Sequence, residues 1–164
     1  MPTSALPRPR LTALLEHPQF TLHELDLRKA DLAPVVDGVD VIYNEAAMPG
    51  LVRSWEWFEE YMSCNILATQ RLLEAARKNG HVIVHVTTAY QNTDRNDPHT
   101  DMGQWHNKIP VDVVNLKDKD LWAIDSRIAP IDGEYTLLKK RASSFHGTEL
   151  AGELRGEPTR LLVD

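Results

Sequence analysis

The fold is constrained most by two short apolar runs that flank one long amphipathic segment. Residues 39–43 and 82–86 are rich in valine and isoleucine and have the length of buried strands. Between them, apolar and small residues recur at three- and four-residue steps from Ser54, a good helix N-cap, to a stop at Asn79-Gly80. This order predicts a parallel strand–helix–strand unit whose two strands are neighbours in one sheet.

Weaker patterns extend the α/β pattern to both sides of this unit. Residues 20–25 alternate as a strand does, and residues 31–36 are typical of a short helix that stops at Gly38. Towards the C-terminus the sequence predicts a helix over residues 134–154, imperfect at Gly147. The remaining predictions are the end of a helix at 11–17, a strand candidate at 111–114, a closing strand at 159–163 and an irregular segment at 1–10.

Charge and composition exclude several classes of function. The 164 residues carry a net charge of −6, so the chain lacks the basic face that would neutralise nucleic-acid phosphates. Its apolar runs are far shorter than the roughly 20 residues that cross a bilayer, and residues 1–10 lack the apolar core of a secretory leader. We therefore expect a cytoplasmic protein without nucleic-acid or membrane partners.

Neither cysteine nor histidine chemistry is indicated. The single cysteine, Cys64, is expected to be a half-buried thiol, and it excludes an internal disulfide. His81 and His85 are four residues apart, which on a strand separates them instead of forming a helical clamp around a metal. We predict no metal site.

Three landmarks occur in order along the chain and carry a resemblance to a known family. D-L-R at residues 26–28 follows the first predicted strand, and D-V-I-Y-N-E-A-A-M-P-G at 40–50 resembles the family's D-V-V-F-H-L-A-A-x-P-G. N-I-L-A-T-Q-R-L-L-E-A-A-R at 65–77 resembles N-x-x-G-T-x-x-L-L-E-A-A-R, and V-H-V-T-T at 84–88 its strand ending in paired Ser or Thr. The chain thus resembles the extended short-chain dehydrogenases/reductases of the NAD-dependent epimerase/dehydratase family.

The resemblance implies a fold and a cofactor. The expected fold is α/β: a single, partial Rossmann-like three-layer domain over residues 1–164 with a mainly parallel sheet, lacking the first β-α-β unit and the substrate domain. The implied cofactor is NAD. Asp26 and Leu27 match residues beside the adenine, Ala46 and Ala47 match the backbone that passes the ribose and nicotinamide side, and Asn65 matches the helix residue that faces this strand end.

One position departs from the family pattern. Glu45 stands where the family has an apolar residue before the two alanines. Burial of a carboxylate there would be costly unless the group is paired or protonated.

The implied catalytic set is Tyr135, Lys139 and Thr88. The family's chemistry uses a tyrosine as acid/base, a lysine one helical turn away that lowers the tyrosine pKa, and a hydroxyl that holds the substrate oxygen. Tyr135 and Lys139 have this Y-x-x-x-K spacing, which places both on one face of a helix. A second window at 143–153 matches the family motif but has Phe145 and Glu149 at the tyrosine and lysine positions, and this alternative stays open.

A missing motif divides the functional expectation in two. The sequence contains no G-x-x-G-x-x-G, the loop that presents backbone N–H groups to the pyrophosphate. One hypothesis is an NAD-dependent epimerase or dehydratase for a nucleotide sugar with impaired cofactor binding. The alternative is a non-catalytic relative that acts as a protein-binding or oligomeric module. In either case we expect a homodimer, formed through the helix at 54–79, a sheet edge, or both.

Overall fold

Four parallel strands form one sheet in the described part of the chain. The computed structural model describes residues 11–50, 52–88, 123–139, 143–155 and 160–163. The strands lie in the order β1-β4-β2-β3. Their bounds are Val41–Tyr43 (β1), Val82–Thr88 (β2), Tyr135–Lys139 (β3) and Leu161–Val163 (β4). The predicted α/β fold with a parallel sheet is confirmed.

The order of the strands corrects one prediction. β1 and β2 are parallel and in the same sheet, but they are not neighbours, because β4 lies between them. Leu162 is in register with Ile42 on one side and Ile83 on the other. The closing strand that the sequence predicts is therefore an interior strand, and it forms backbone hydrogen bonds at both of its edges.

The first described segment contains short helices instead of a strand. Thr12–Leu15 is α1 and Ala33–Val36 is α2, with Pro34 in the first turn of α2. The strand predicted at 20–25 is wrong: these residues are not part of a strand ladder. Arg71 instead holds the segment that follows, because its guanidinium donates to the carbonyl oxygens of Leu27 (3.1 Å) and Ala30 (2.6 Å).

The predicted long helix is present but begins later. Helical geometry starts with α3, Phe58–Tyr61, continues through a π-helical turn, Met62–Leu67, and ends with α4, Ala68–Lys78. Ser54 is not the N-cap, because it closes a 3-10 turn, Val52–Ser54, and Trp57 takes the cap position. At the C-terminal end Gly80 has a φ of 73°, a left-handed conformation that suits glycine at a helix stop.

The helix predicted over residues 134–154 is wrong. The structure has β3 at its beginning and a single helical turn, α5 (Leu150–Glu153), at its end. Gly147 lies between them with a φ of 67°, which interrupts helical geometry. Alignment with β2 over the full length of β3 gives residues 135–139 a ladder that outweighs their helical spacing. The strand candidate at 111–114 lies outside the described residues.

The core is divided between the two faces of the sheet. On one face, α2 and α4 pack against Ile83 and Leu162, and Leu73 and Ala76 are fully buried there. On the other face, Leu150 of α5 packs with Val84 and with the half-buried chains of Leu137 and Val163. Helices therefore cover both faces, and the three-layer prediction is confirmed. In the described part of the chain, no helix is long and apolar enough to span a bilayer.

Candidate cofactor site

A cavity of about 580 Å³ lies where the segment before α2 meets the loop after β1. Residues 25–28 form one wall, residues 46–49 the other, and Cys64 and Ala68 contribute from the π-helical turn and α4. Four of the five residues predicted to contact NAD line this cavity: Asp26, Leu27, Ala46 and Ala47. We call it the cofactor cavity below.

Asp26 and Arg28 form the charged wall of the cofactor cavity. Arg28 Nε and Nη2 lie 2.8 and 2.9 Å from the two oxygens of Asp26, and the backbone N–H of Arg28 also donates to Asp26. These hydrogen bonds lower the pKa of Asp26 from 3.8 to about 2. The other end of the guanidinium donates to Glu60 (2.8 Å) and Ser63 (3.2 Å). An ionised carboxylate is therefore held at the cavity by an arginine anchored to the long helix.

Asn65, the fifth predicted residue, fixes the opposite wall. Its Oδ1 accepts from the Met48 N–H at 2.7 Å, and its Nδ2 donates to the Met48 carbonyl at 3.2 Å. The buried Tyr61 adds a bond from its hydroxyl to the Pro49 carbonyl at 2.8 Å. Asn65 lies in the π-helical turn, whose wider spacing changes which side chains face the loop. The asparagine thus supports the wall through the backbone and does not itself line the cavity.

The residues between β1 and this wall form a turn open to solvent. Glu45 is exposed, so the expected cost of burying its carboxylate does not arise. Asn44 organises the turn: its Oδ1 accepts from the Ala46 N–H, and its Nδ2 donates to Thr69 Oγ1, both at 3.3 Å. The departure from the family pattern is therefore accommodated at the surface.

The structure brings together only part of the predicted catalytic set. Thr88 and Lys139 are in register at the C-terminal ends of β2 and β3. Tyr135 begins β3, beside Val84, and four residues of strand separate it from Lys139 by roughly 13 Å. The rationale that placed Tyr135 and Lys139 on one helical face is therefore wrong. In the alternative window, Phe145 is half exposed and Glu149 is the N-cap of α5.

A buried polar cluster on the α4 face was not predicted. Glu134 accepts from Arg77 Nε (2.7 Å) and Nη2 (2.9 Å), from the Ile131 N–H (2.9 Å) and from His85 Nε2 (2.9 Å). Burial alone would raise the pKa of Glu134, but these hydrogen bonds outweigh it and lower the pKa from 4.5 to about 2. The alternation of side chains along β2 is the sequence signal that could have indicated this cluster, since it places His85 on the same face as the core residue Ile83.

Among the described residues, no group of three or more His, Cys, Asp or Glu side chains could hold a metal ion.

Comparison with known proteins decides the family. The model of the NAD dependent epimerase/dehydratase family matches residues 3–107. The chain belongs to this family. The matched segment contains β1, α4, β2 and the cofactor cavity. β3, β4 and both candidate catalytic windows lie beyond it, and this is also where the predicted helix was wrong.

The names of individual relatives indicate two different activities. An uncharacterized UDP-glucose epimerase of Bacillus subtilis (strain 168) is 47% identical over 70 residues, 42% of this chain and 22% of the relative. An N-carbamoylsarcosine amidase of Arthrobacter sp is 41% identical over 106 residues, 61% of this chain and 39% of the relative. A solved structure of MoeE5 with UDP-glucose and NAD is 36% identical over 44% of this chain and 25% of that one, with a TM-score of 0.38. The chain spans about two-fifths or less of each of these proteins.

Proposed function

We propose that this epimerase/dehydratase family chain supplies the NAD-binding part of an enzyme that acts on a nucleotide sugar. The observation that supports the proposal best is the cofactor cavity. Asp26 and Leu27 come from one segment, Ala46 and Ala47 from another, and the fold places all four around one space. The two pairs belong to separate sequence motifs, and neither motif alone implies that they line one cavity.

The chemistry of the cavity suits the adenosine end of NAD. The ionised Asp26 accepts hydrogen bonds, and a ribose or an adenine amino group offers such donors. Leu27, Ala47 and Ala68 give an apolar surface for a ring, and the small alanines leave room beside the backbone. The chain has no G-x-x-G-x-x-G loop to cradle the pyrophosphate. We therefore expect weak binding, with a dissociation constant on the order of millimolar.

Two of the three predicted catalytic residues, Thr88 and Lys139, lie close enough together to share a site. Thr88 and Lys139 end adjacent parallel strands, and ligands of α/β sheets bind at the carboxyl ends of strands. We propose that the Thr88 hydroxyl and the Lys139 ammonium group face the reacting part of the substrate. The role of Tyr135 stays a prediction from resemblance.

Calorimetric titration with NAD tests the cofactor proposal. The chain should bind saturably, and Ala47→Trp should weaken binding at least tenfold because the indole fills the cofactor cavity. Ala13→Trp is the matched control, since Ala13 is exposed on α1 and distant in sequence from both walls. Absence of saturable binding at roughly 10 mM NAD, or equal binding by Ala47→Trp, contradicts the proposal.

The amidase relative supports a second candidate function, hydrolysis of a small amide. Its match covers 61% of the chain at 41% identity, a larger share than the epimerase match covers. Ammonia release from N-carbamoylsarcosine tests this candidate. No release above the uncatalysed rate would remove it.

We also propose that the chain forms a homodimer, as the sequence led us to expect. β1 lies at one edge of the described sheet, and Val41 and Tyr43 in it are 41% and 57% exposed. An edge strand with exposed apolar side chains favours pairing with another chain. The same exposed edge strand supports the alternative hypothesis of a non-catalytic oligomeric module.

A further inference from the structure

Arg28 carries the positive charge among the described residues that line the cofactor cavity. Its side chain is 25% exposed and that of Asp26 is 37% exposed, so a ligand in the cavity can reach both groups. A guanidinium has five N–H donors. Nε and Nη2 donate to Asp26, and Nη1 donates to Glu60 and Ser63. Most of the donors of Arg28 are therefore already paired with acceptors of the protein.

Glu60 is the acidic partner that joins Arg28 to the long helix. Its Oε1 lies 2.8 Å from Arg28 Nη1, and the same oxygen accepts from the thiol of Cys64 at 3.6 Å. Cys64 lines the cavity, whereas Glu60 lies outside the lining and acts on it through Arg28. The carboxylates of Asp26 and Glu60 outnumber the one guanidinium, so this wall has a net negative charge. Lys29 is exposed and does not line the cavity, so solvent screens its charge.

The charge of this wall determines which part of a nucleotide it can bind. A phosphate group gains affinity from cations and from N–H donors directed at its oxygens. Here the cation is paired with two carboxylates, and the sequence has no G-x-x-G-x-x-G loop. A nucleoside needs neither, because its hydroxyl and amino groups donate to a carboxylate and its ring packs against apolar side chains.

We propose that Glu60 is a positioning residue that engages Arg28 and so determines the specificity of the cofactor cavity. With Arg28 held in this way, the cavity selects the uncharged nucleoside part of NAD and gains no affinity from the phosphates. This inference rests on the proposed binding of NAD in the cavity. It adds the part of the ligand that is recognised and the residue that sets this preference.

Adenosine and AMP differ by one phosphate group and are a matched pair of probes for this preference. Each is titrated into the full chain by calorimetry at the same ionic strength. We expect adenosine to bind with a dissociation constant on the order of millimolar. AMP should bind no more tightly than adenosine, because the negative wall repels the phosphate. Tighter binding of AMP than of adenosine by the wild-type chain overturns the proposal.

Replacement of Glu60 should change the preference between the two probes. Glu60→Ala frees Arg28 Nη1, so a phosphate oxygen can accept a charge-assisted hydrogen bond, and the affinity for AMP relative to adenosine should rise at least about fivefold. Glu59→Ala is the matched control, because it removes the same charge from the exposed neighbouring position, and it should leave the ratio unchanged. A merely structural role of Glu60 would weaken both probes alike. An unchanged ratio in Glu60→Ala, or an equal change in both variants, overturns the proposal.

A double variant shows whether the change acts through Arg28. Glu60→Ala itself should fold as Glu59→Ala does, with the same urea midpoint, because the Glu60 side chain is 53% exposed and a surface ion pair adds little stability. Adding Arg28→Met to Glu60→Ala should remove the gain in AMP affinity. A gain that persists without the guanidinium overturns the proposal.

Titration with NAD separates this inference from the proposed function. If adenosine and AMP bind with the expected ratio while NAD does not bind, the proposed function is wrong and the specificity of the cavity stands. If neither adenosine nor AMP binds saturably at roughly 10 mM, the inference is wrong even where NAD binds.

Discussion

Glu134 connects three elements through one carboxylate. Arg77 comes from α4, His85 from β2, and the Ile131 N–H from the turn that precedes β3. The Glu134 side chain is 7% exposed and that of His85 is 1% exposed. Because solvent screens the charges little at this buried site, the hydrogen bonds of the cluster stabilise the fold only while the Glu134 carboxylate is ionised.

The pH dependence of stability should report on Glu134. Its pKa is about 2 in the folded chain against 4.5 when unperturbed, so its stabilisation is complete above 4.5 and is lost as the pH falls towards 2. The difference corresponds to on the order of 3 kcal/mol. Glu134→Gln should be less stable by about this amount at pH 7, and its urea-unfolding free energy should converge with that of the wild type near pH 2.

Asp132→Asn serves as the control, because Asp132 is an exposed carboxylate in the same turn. It should retain the wild-type pH dependence. An unchanged acid slope in Glu134→Gln would show that other carboxylates account for the acid sensitivity.

Asn65 should affect both the stability of the loop and the affinity for the cofactor. Asn65→Ala removes two hydrogen bonds to Met48, at roughly 1 kcal/mol each, so the unfolding free energy should fall by about 2 kcal/mol. NAD affinity should fall as well, since the loop carries Ala46 and Ala47. Gln70→Ala, a nearby position on α4, is the control for denaturation and for the NAD titration, and an equal loss in both variants would argue against a role for the amide.

Residue contacts could be predicted from the sequence where a local motif carries them. Ala46 and Ala47 were found because they follow a strand within a contiguous motif. The contact of His85 with Glu134 joins residues 49 positions apart and depends on how β3 aligns with β2, which no local pattern encodes. The prediction for Tyr135 and Lys139 was wrong for a related reason. Residues four apart lie on one helical face only if the segment is a helix, and here it is a strand.

At the level of elements, the position of β4 is one feature that the sequence did not predict. A run of three apolar residues fits an edge or an interior strand equally well, and the choice depends on which partners are available. The long helix was recognised because its apolar spacing persists over several turns. Its first turn was misplaced because Ser54 satisfies the N-cap preference within a 3-10 turn.

Leu162→Ala tests the interior position of β4. Leu162 is fully buried between Ile42 and Ile83, so truncation should lower the unfolding free energy by about 2–5 kcal/mol. Val41→Ala on the edge strand β1 should cost less than about 1 kcal/mol, because Val41 is 41% exposed. Equal losses in the two variants, measured by urea denaturation, would place β4 outside the centre of the sheet.

For the whole molecule, exposed apolar surface is the feature that supports the proposed homodimer. Besides β1, an aromatic patch of Trp55, Trp57 and Phe58 lies at the start of the long helix. Trp55 is 84% exposed and stacks on Phe58 with ring centroids 6.4 Å apart, and Arg53 lies over the Trp57 ring. Aromatic side chains that cluster at the surface in this way are typical of protein–protein contact sites.

Light scattering at micromolar concentration should therefore show a dimer of the 18.6 kDa chain. Substituting both Trp55 and Phe58 by serine should shift the population towards monomer, whereas Leu14→Ser, an exposed position on α1, should not. A monodisperse wild-type monomer would rule out the predicted homodimer.

The interior position of β4 also has a consequence for the folding kinetics. β1 reaches β2 only through β4, and Val41 pairs with Leu161, which the ribosome adds long after Val41 itself. Contacts of such high sequence separation slow folding, because loop entropy is lost before the ladder forms. During synthesis β1 and β2 each have an unpaired edge until β4 has been made, and unpaired strand edges favour aggregation.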